Sequence, residues 1–321
     1  MKYVDIFFPN IGMRFGGMPV HTKYSQQTRS GRLSMHKGFW YLVLAVLIVV
    51  CAGCAGLPPS QQEQSFEPDT HSIVWRMLCP GVEAADIYNS RLPLIAHAVK
   101  IDLHHPSIRI VTTEAARFYD TQGCVIGETT QEFAERLHTV AACNAAPFHA
   151  ESLLFSRYRR VIGVHITEYS CMSTPNPRYG ALLFSADKTA RIIETQTEAA
   201  FSEEVCSALG GFWMILKDGR VLPQKLERRD SRTAVGLTAD GATLFMLAVE
   251  GEWKGYSQGL SYTESAVLLR GLGASDALQF DGGSSSSLVL KEGAEQRLIS
   301  PSRGWNIHIP VASNLGIVYT E

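Results

Sequence analysis

Strong charge of either sign is missing from this 321-residue chain: 29 lysines and arginines stand against 31 aspartates and glutamates, for a formal net charge of −2. Binding to nucleic acid or to an anionic membrane face draws on a basic excess, so no nucleic-acid partner is expected. Internal repeats are also missing. The chain has no G-x-x-x-x-G-K-[ST] loop, which removes nucleotide hydrolysis on that scaffold. It has no H-E-x-x-H and no paired C-x-x-C strings, which removes the usual zinc sites. His104-His105-Pro106 reads as an exposed turn rather than a set of metal ligands. No nucleophile elbow is read from the chain. Ser185-Ala186-Asp187-Lys188 has the S-x-x-K form but lacks a K-T-G partner, and is taken as chance.

Apolar residues are plentiful, at 45% of the chain, enough for one large globular domain or two small ones. Residues 39–57 (FWYLVLAVLIVVCAGCAGL) carry no charge and are long enough to span a bilayer. The segment resembles a bacterial lipoprotein signal in which Cys54 is lipidated and becomes the mature N-terminus, with Cys51 where leucine is usual. The alternative is an uncleaved membrane anchor. Both place the remainder of the chain outside the cytoplasmic membrane, in the cell envelope, and Ala55 after the cysteine suggests the outer membrane. The expected layout is a gene-model extension over 1–34 ahead of Met35, a signal or anchor over 35–54, and a Pro-, Gln- and Glu-rich tether over 55–72. A single domain is expected over 73–321. Its five cysteines, Cys79, Cys124, Cys143, Cys171 and Cys206, allow two disulfides and one free thiol in an oxidising compartment.

Short alternating runs dominate that domain. Residues 95–103 and 108–111 read as a hairpin or meander around the His-His-Pro turn. Residues 130–137 read as a helix capped by Thr129 or Thr130, and 140–143 as a strand. Hairpins are expected over 181–185 with 190–193, and over 233–238 with 243–249. A helix over 261–272 ends at Gly271 or Gly273. Strands follow over 277–280, 287–290 and 311–319. The expected fold class is α+β, with a mixed, mainly antiparallel β-sheet and a few packed helices.

Residues 280–290 read FDGGSSSSLVL. A serine linker would lie between domains, whereas this run lies between two strands and therefore reads as a tight turn. Its glycines permit positive φ and close approach of a ligand, successive N–H groups can form an anion-binding nest, and Asp281 sits at a rigid strand end. A plain Asp-Gly hairpin turn explains the same letters.

The neighbouring strings extend the pattern. Ser231-Arg232-Thr233-Ala234-Val235-Gly236, Ser257-Gln258-Gly259-Leu260-Ser261-Tyr262-Thr263-Glu264 and LGASDALQFDGG (272–283) follow in order. This series resembles the phosphodiester glycosidase family, with motifs of the form R-T-A-x-G, S-x-G-x-(S/T)-x-x-E and L-G-A-x-x-A-L-x-L-D-G-G-G-S-S-T. Asn144-Ala145-Ala146-Pro147-Phe148 is similar to the family's N-(A/G)-G-x-F turn, and Gly210-Gly211 to its central glycine turn. Cys79-Pro80-Gly81-Val82 and Lys100-Ile101-Asp102-Leu103 extend the likeness to about residues 75–319. Ala146 and Ser284 replace glycines of the pattern, and His308 stands where an arginine is expected.

The resemblance implies hydrolysis of a glycosyl-phosphodiester bond, giving free sugar and a phosphomonoester. The chemistry suits these residues. A phosphomonoester, with a second pKa of about 6, leaves with little protonation. Its charge suits a bidentate guanidinium, Arg232. Backbone and hydroxyl donors of Gly282, Gly283, Ser284, Ser285 and Ser286 could add to it. The oxocarbenium ion and the attacking water call for carboxylates, with Glu264 and Asp281 as candidates. Asn144 could position a sugar hydroxyl, and Gly210, Gly211 and His308 complete the expected binding set. Each has a plainer role too: Ser261-x-x-Glu264 is also a capping box, Arg232 could be an ion-pair partner, and Asn144 an Asx-turn residue. No cofactor is implied, and a structural Ca²⁺ is left open. The expected partners are a sugar-phosphate or polysaccharide substrate and, through the anchor, the membrane. The competing reading is a non-catalytic carbohydrate-binding lipoprotein.

Overall fold

The two-residue period of strand Thr243–Val249 sorts its side chains between two cores. Leu244, Met246 and Ala248 point one way; Phe245, Leu247 and Val249 point the other. A strand buried on both faces must be central, and this one pairs with Leu94–Asp102 on one side and Arg232–Leu237 on the other. The computed structural model describes residues 66, 68, 70–89, 92–151, 157–225, 227–253, 255–293, 295–299 and 308–321. Cys54, the 35–54 signal and the 1–34 extension lie outside the described residues, as does most of the tether.

The largest sheet has eight strands. In spatial order they are Arg76–Cys79, Val82–Asn89, Leu94–Asp102, Thr243–Val249, Arg232–Leu237, Asp276–Gln279, Met214–Lys217 and Arg220–Val221. One five-stranded sheet runs Ser170–Ser173, His165–Thr167, Val205–Gly210, Ala181–Ser185, Ala190–Ile193. Another runs Glu295–Ile299, Leu288–Glu292, Ala141–Asn144, Asn314–Tyr319, Ile108–Thr112. A three-stranded sheet joins Cys124–Ile126, Tyr158–Val161 and Phe148–Ala150. Every strand pairing among the described residues is antiparallel, so the expected mixed sheet is corrected to antiparallel ones. With two α-helices among the described residues, the fold is more β-rich than the α+β expectation, yet compatible with it.

The three larger sheets share one core. Val99, Val235 and Leu278 come from the eight-stranded sheet, Leu182 and Leu209 from one five-stranded sheet, and Cys143, Leu288 and Leu315 from the other. Helix Tyr262–Leu272 covers the second face of the eight-stranded sheet through Ala266, Leu268 and Leu269, against Ala234, Phe245 and Leu247. Gly236 allows this approach, since a Cβ there would lie 2.8 Å from the Ala274 Cβ. Helix Thr130–Leu137 packs Phe133 and Ala134 onto Ala142 and Val289. Thr129 caps it, its hydroxyl accepting from Glu132 N at 3.1 Å while the Glu132 carboxylate accepts from Thr129 N at 2.9 Å.

Several expected hairpins form. Ala181–Ser185 pairs with Ala190–Ile193, and Arg232–Leu237 with Thr243–Val249 around Gly241 at φ 68°. The hairpin expected across His104-His105-Pro106 does not. Leu94–Asp102 and Ile108–Thr112 enter different sheets, because each finds its partners far along the chain, Thr243–Val249 and Asn314–Tyr319. The disulfides that these five cysteines would allow are not formed, and all five are free. Cys143 is a core residue, and burial pushes its thiol up to about 12. Among the described residues, no helix is long and apolar enough to cross a membrane.

Candidate active site

Asp281 follows strand Asp276–Gln279, and its backbone leaves that sheet at once. Phe280 N donates to Thr233 O at 2.9 Å, then Asp281 N donates to Ala145 O at 2.9 Å. The chain crosses from the eight-stranded sheet to Leu288–Glu292 in another sheet, so DGGSSSS is a crossover rather than a hairpin turn. Residues Gly283–Ser285 form one 3-10 turn, and Gly283 takes φ 60°. Ala146 and Ser284 both have negative φ, so a side chain fits at each and the missing glycines cost no backbone strain.

Asn144 is the clamp beneath this crossover. It is fully buried, and its Nδ2 donates to Asp281 O at 2.8 Å. Its Oδ1 accepts from Thr233 Oγ1 at 2.7 Å and from Ser287 N at 3.0 Å. One side chain thus ties three strand ends together. Gly211 lies on the opposite flank: a Cβ there would sit 2.7 Å from Gln279 O and 2.7 Å from Leu278 Cγ. Gly210 N donates to Val164 O at 2.8 Å. Both glycines are buried and serve the close approach of backbones. Gly211→Ala should destabilise the fold by about 2–3 kcal/mol, because a backbone carbonyl has nowhere to retreat. Urea unfolding measures this, and a change below about 0.5 kcal/mol contradicts the packing.

Arg232 opens its strand with 5% exposure. Its Nε donates to Leu260 O at 2.9 Å and its Nη2 to Arg228 O at 2.6 Å, and its guanidinium carbon lies 4.4 Å from the Tyr262 ring centre. Burial lowers the Arg232 pKa, but a guanidinium stays charged regardless. The expected bidentate Nε–Nη2 edge is therefore occupied by backbone carbonyls, and Nη1 is the end left over. It points toward Gly282, whose Cβ, were there one, would stand 3.7 Å from it.

Burial raises the Asp281 carboxyl to about 6, against opposing hydrogen bonds from the Ser285 side chain and from Gly282 N. The latter measures 3.1 Å. Tyr262 stands between the two charges. Its pKa is raised by burial, lowered by Arg232, and raised by Asp281 and Asp230. Its hydroxyl has no hydrogen-bond partner among the described residues. Asp230, two residues before Arg232 on an extended segment, shares its face; its Oδ1 accepts from Ser231 N at 2.8 Å while Oδ2 carries no bond. Asp281, Arg232, Tyr262 and Asp230 thus converge.

Glu264 lies beside this group with its oxygens engaged. Oε2 accepts from Ser261 N at 2.8 Å, completing a capping box, and Arg229 grips the carboxylate through Nε at 3.0 Å and Nη2 at 2.5 Å. The turn's backbone donors are also largely committed. Gly282 N binds Asp281 Oδ1, Gly283 N binds Ser231 O, Ser285 N binds Gly282 O and Ser286 N binds Gly283 O, which leaves Ser284 N. The expected anion nest is thus reduced to one N–H plus hydroxyls. His308 lies away from Arg232, lining a small polar recess with Thr129, Thr130 and Ser284 to Ser287; the Ser286 hydroxyl is buried and unpartnered. Among the described residues no cluster of His, Cys, Asp and Glu is placed to hold a metal.

The sequence pattern of the phosphodiester glycosidase family matches residues 138–318, more than half of the chain. The chain belongs to that family. The match begins at 138, so the weaker likeness read over 75–137 lies outside it. No curated protein sequence matches the chain. Solved structures similar to this chain in fold include the following three. A hypothetical protein from Synechocystis has a TM-score of 0.59 and 14% identity over 80% of this chain and 64% of that one, so the chain spans less than two thirds of its length. The catalytic domain of zebrafish N-acetylglucosamine-1-phosphodiester alpha-N-acetylglucosaminidase, auto-inhibited by its pro-peptide, has a TM-score of 0.56 and 15% identity over 76% of this chain and 85% of that one. A putative exported protein from Burkholderia pseudomallei has a TM-score of 0.51 and 13% identity over 70% and 74%.

Sequence reasoning passed over Tyr262 and Asp230 in this candidate site. Asp230 was accessible from strand parity with Arg232. Tyr262 follows a helix cap and carries no separate signal. The letters Gly255-Tyr256-Ser257-Gln258-Gly259 spell a nucleophile elbow that was also passed over. Ser257 is buried, however, donating to Glu250 O at 2.5 Å and accepting from Ile95 N at 3.0 Å, on a loop rather than a strand-to-helix turn. Its hydroxyl is structural.

Proposed function

We propose that this chain hydrolyses a glycosyl-phosphodiester bond on the sugar side, releasing free sugar and a phosphomonoester. The observation that carries this reading is that Asp281, a carboxyl raised by burial to about 6, and the buried Arg232 guanidinium both act on the Tyr262 side chain. At neutral pH Asp281 is mostly ionised and suited to take a proton from the attacking water. Arg232 is fixed by two backbone carbonyls before substrate arrives, so its Nη1 can meet phosphate charge without reorganisation. Breaking the C1–O bond places two negative charges on the departing phosphomonoester, and an immobile cation favours that state over the singly charged diester. Asp230, with one free oxygen, is the second carboxylate near the developing sugar cation. Glu264, held at the helix start, positions Arg229 and the 228–232 segment rather than reacting. Asn144, Gly210 and Gly211 support the site from beneath.

The setting proposed is the cell envelope or an exopolysaccharide, on the periplasmic side or at the outer membrane with Cys54 lipidated. The apolar run at 39–57 ending at Cys54 supports it. The purified chain with a panel of sugar-1-phosphodiesters, beginning with N-acetylglucosamine, tests the activity. Release of sugar and phosphomonoester is expected. Saturable binding without release would favour a carbohydrate-binding module instead. Glu264→Gln keeps an acceptor for Ser261 N and loses the ion pair, so kcat/KM should fall by less than about tenfold and stability by about 1 kcal/mol. A loss as large as that of the Asp281 variant would return Glu264 to the reacting groups.

A further inference from the structure

An aromatic row runs out of this site to the surface. Tyr262, under the Arg232 guanidinium, has its ring centre 5.7 Å from that of Trp213 at 49°. Trp213 stacks on Phe212 at 5.3 Å and 21°, and Tyr179 meets both edge-on, at 5.7 Å and 5.4 Å. Trp213 is 39% exposed, large for an indole whose neighbours are this ordered. Its backbone is pinned to the strand that delivers Asp281: Gln279 N donates to Trp213 O at 3.0 Å, and Phe212 N donates to Gln279 O at 2.7 Å. The backbone is therefore fixed to that strand and the ring packs among Tyr179, Phe212 and Tyr262, with two residues between Gln279 and the crossover's first glycine. An exposed, braced indole beside a carboxylate and a guanidinium is poor use of apolar surface unless something stacks on it.

We propose that Trp213 is the platform for the sugar ring, with Phe212 and Tyr179 bracing it and Tyr262 linking it to the reacting centre. This inference rests on the glycosidase reading for its orientation. The ring's π-face carries negative charge density, which suits the C–H bonds on one face of a pyranose while the hydroxyls stay at the wet edge. The phosphate then lies toward Arg232 and C1 toward Asp281. The class selected is a hexose or N-acetylhexosamine 1-phosphodiester. A phosphodiester of glycerol or of a simple alkyl alcohol has no such face and loses the contact.

The full chain and its Trp213→Phe and Trp213→Ala variants are titrated with N-acetylglucosamine and with glucose, read by saturation-transfer NMR. The same proteins are assayed against N-acetylglucosamine-1-phosphodiester and against glycerophosphodiester. Binding should weaken about tenfold in Trp213→Ala and less in Trp213→Phe, in line with an aromatic contact of about 1.4 kcal/mol. KM for the sugar substrate should rise with kcat changed less, and Asp281→Asn should still bind sugar. Equal binding by wild type and Trp213→Ala, or no saturable binding of either sugar to wild type, overturns the platform. Because binding is read without turnover, failure of hydrolysis alone leaves the platform standing, and loss of the platform leaves Asp281 chemistry intact. Circular dichroism and the Trp213→Phe variant separate lost stacking from lost folding.

Discussion

Asp281→Asn should remove turnover and, at neutral pH, make the protein more stable. The first half follows from position. Asparagine keeps an oxygen for Gly282 N but cannot take a proton, and loss of a positioned acid–base group costs on the order of 10²–10⁴ in rate. The second half follows from the pKa. Folding raises this carboxyl from 3.8 to about 6, through burial that outweighs the bonds from Ser285 and Gly282. Below pH 3.8 both states hold the proton and the group is neutral in the balance. Between 3.8 and about 6 the folded state binds more protons than the unfolded one, so stability falls as pH rises, and above about 6 the full penalty applies. A shift of that size corresponds to at most about 3 kcal/mol. The variant should therefore melt higher than wild type at pH 7–8, with the difference closing as pH falls through 6 toward 4. In wild type, kcat/KM should rise as pH increases through about 6. That quantity reports free enzyme and free substrate, so the product monoester's own ionisation near 6 does not confuse it. A variant that is no more stable at pH 8 than at pH 4, relative to wild type, would mean Asp281 is well solvated and unsuited to the role.

The architecture shows where one sequence suffices and where it does not. The strands over 233–238 and 243–249 were legible because their apolar residues are nearly continuous and a turn separates them. The capping box at Ser261, and the choice of Thr129 or Thr130 as the cap of the first helix, were legible because their chemistry is local. The failures share one cause, which is pairing at long range. Nothing in residues 95–111 indicates that Leu94–Asp102 will pair with a strand some 140 residues on, while Ile108–Thr112 joins another sheet. The crossover at 281–287 read as a tight turn between neighbouring strands for the same reason. In the candidate site, Asp281 and Arg232 stood out in sequence through the strings that carry them. The aromatic row was not, since Tyr179, Phe212, Trp213 and Tyr262 come together only through sheet contacts. Glu264 shows the converse: its motif has two explanations, and the Arg229 ion pair that decides between them lies 35 residues away.

Asn144→Ala should be the most destabilising single change near the site, by about 3–5 kcal/mol. The side chain is fully buried and meets three groups at once: the Thr233 hydroxyl, Ser287 N–H and Asp281 carbonyl. Alanine leaves all three without partners in a place too closed for water to replace them freely, and an unmet buried group costs about 1–3 kcal/mol. The threonine hydroxyl can turn elsewhere, but the two backbone groups belong to fixed strand ends. Asn144→Asp sharpens the test. It preserves shape and the acceptor for Thr233 and Ser287, but sets a carboxylate oxygen against the Asp281 carbonyl. When protonated, that oxygen can donate as the amide did. The aspartate variant should thus be strongly destabilised at neutral pH and recover much of its stability as pH falls, the sign expected of a buried acid whose folded pKa is raised. Urea titrations of both variants across pH 4–8 read this directly. A loss under about 1 kcal/mol for alanine would mean that the crossover is held by its own backbone bonds. Asp281 would then owe its position to the strand before it and not to the clamp beneath.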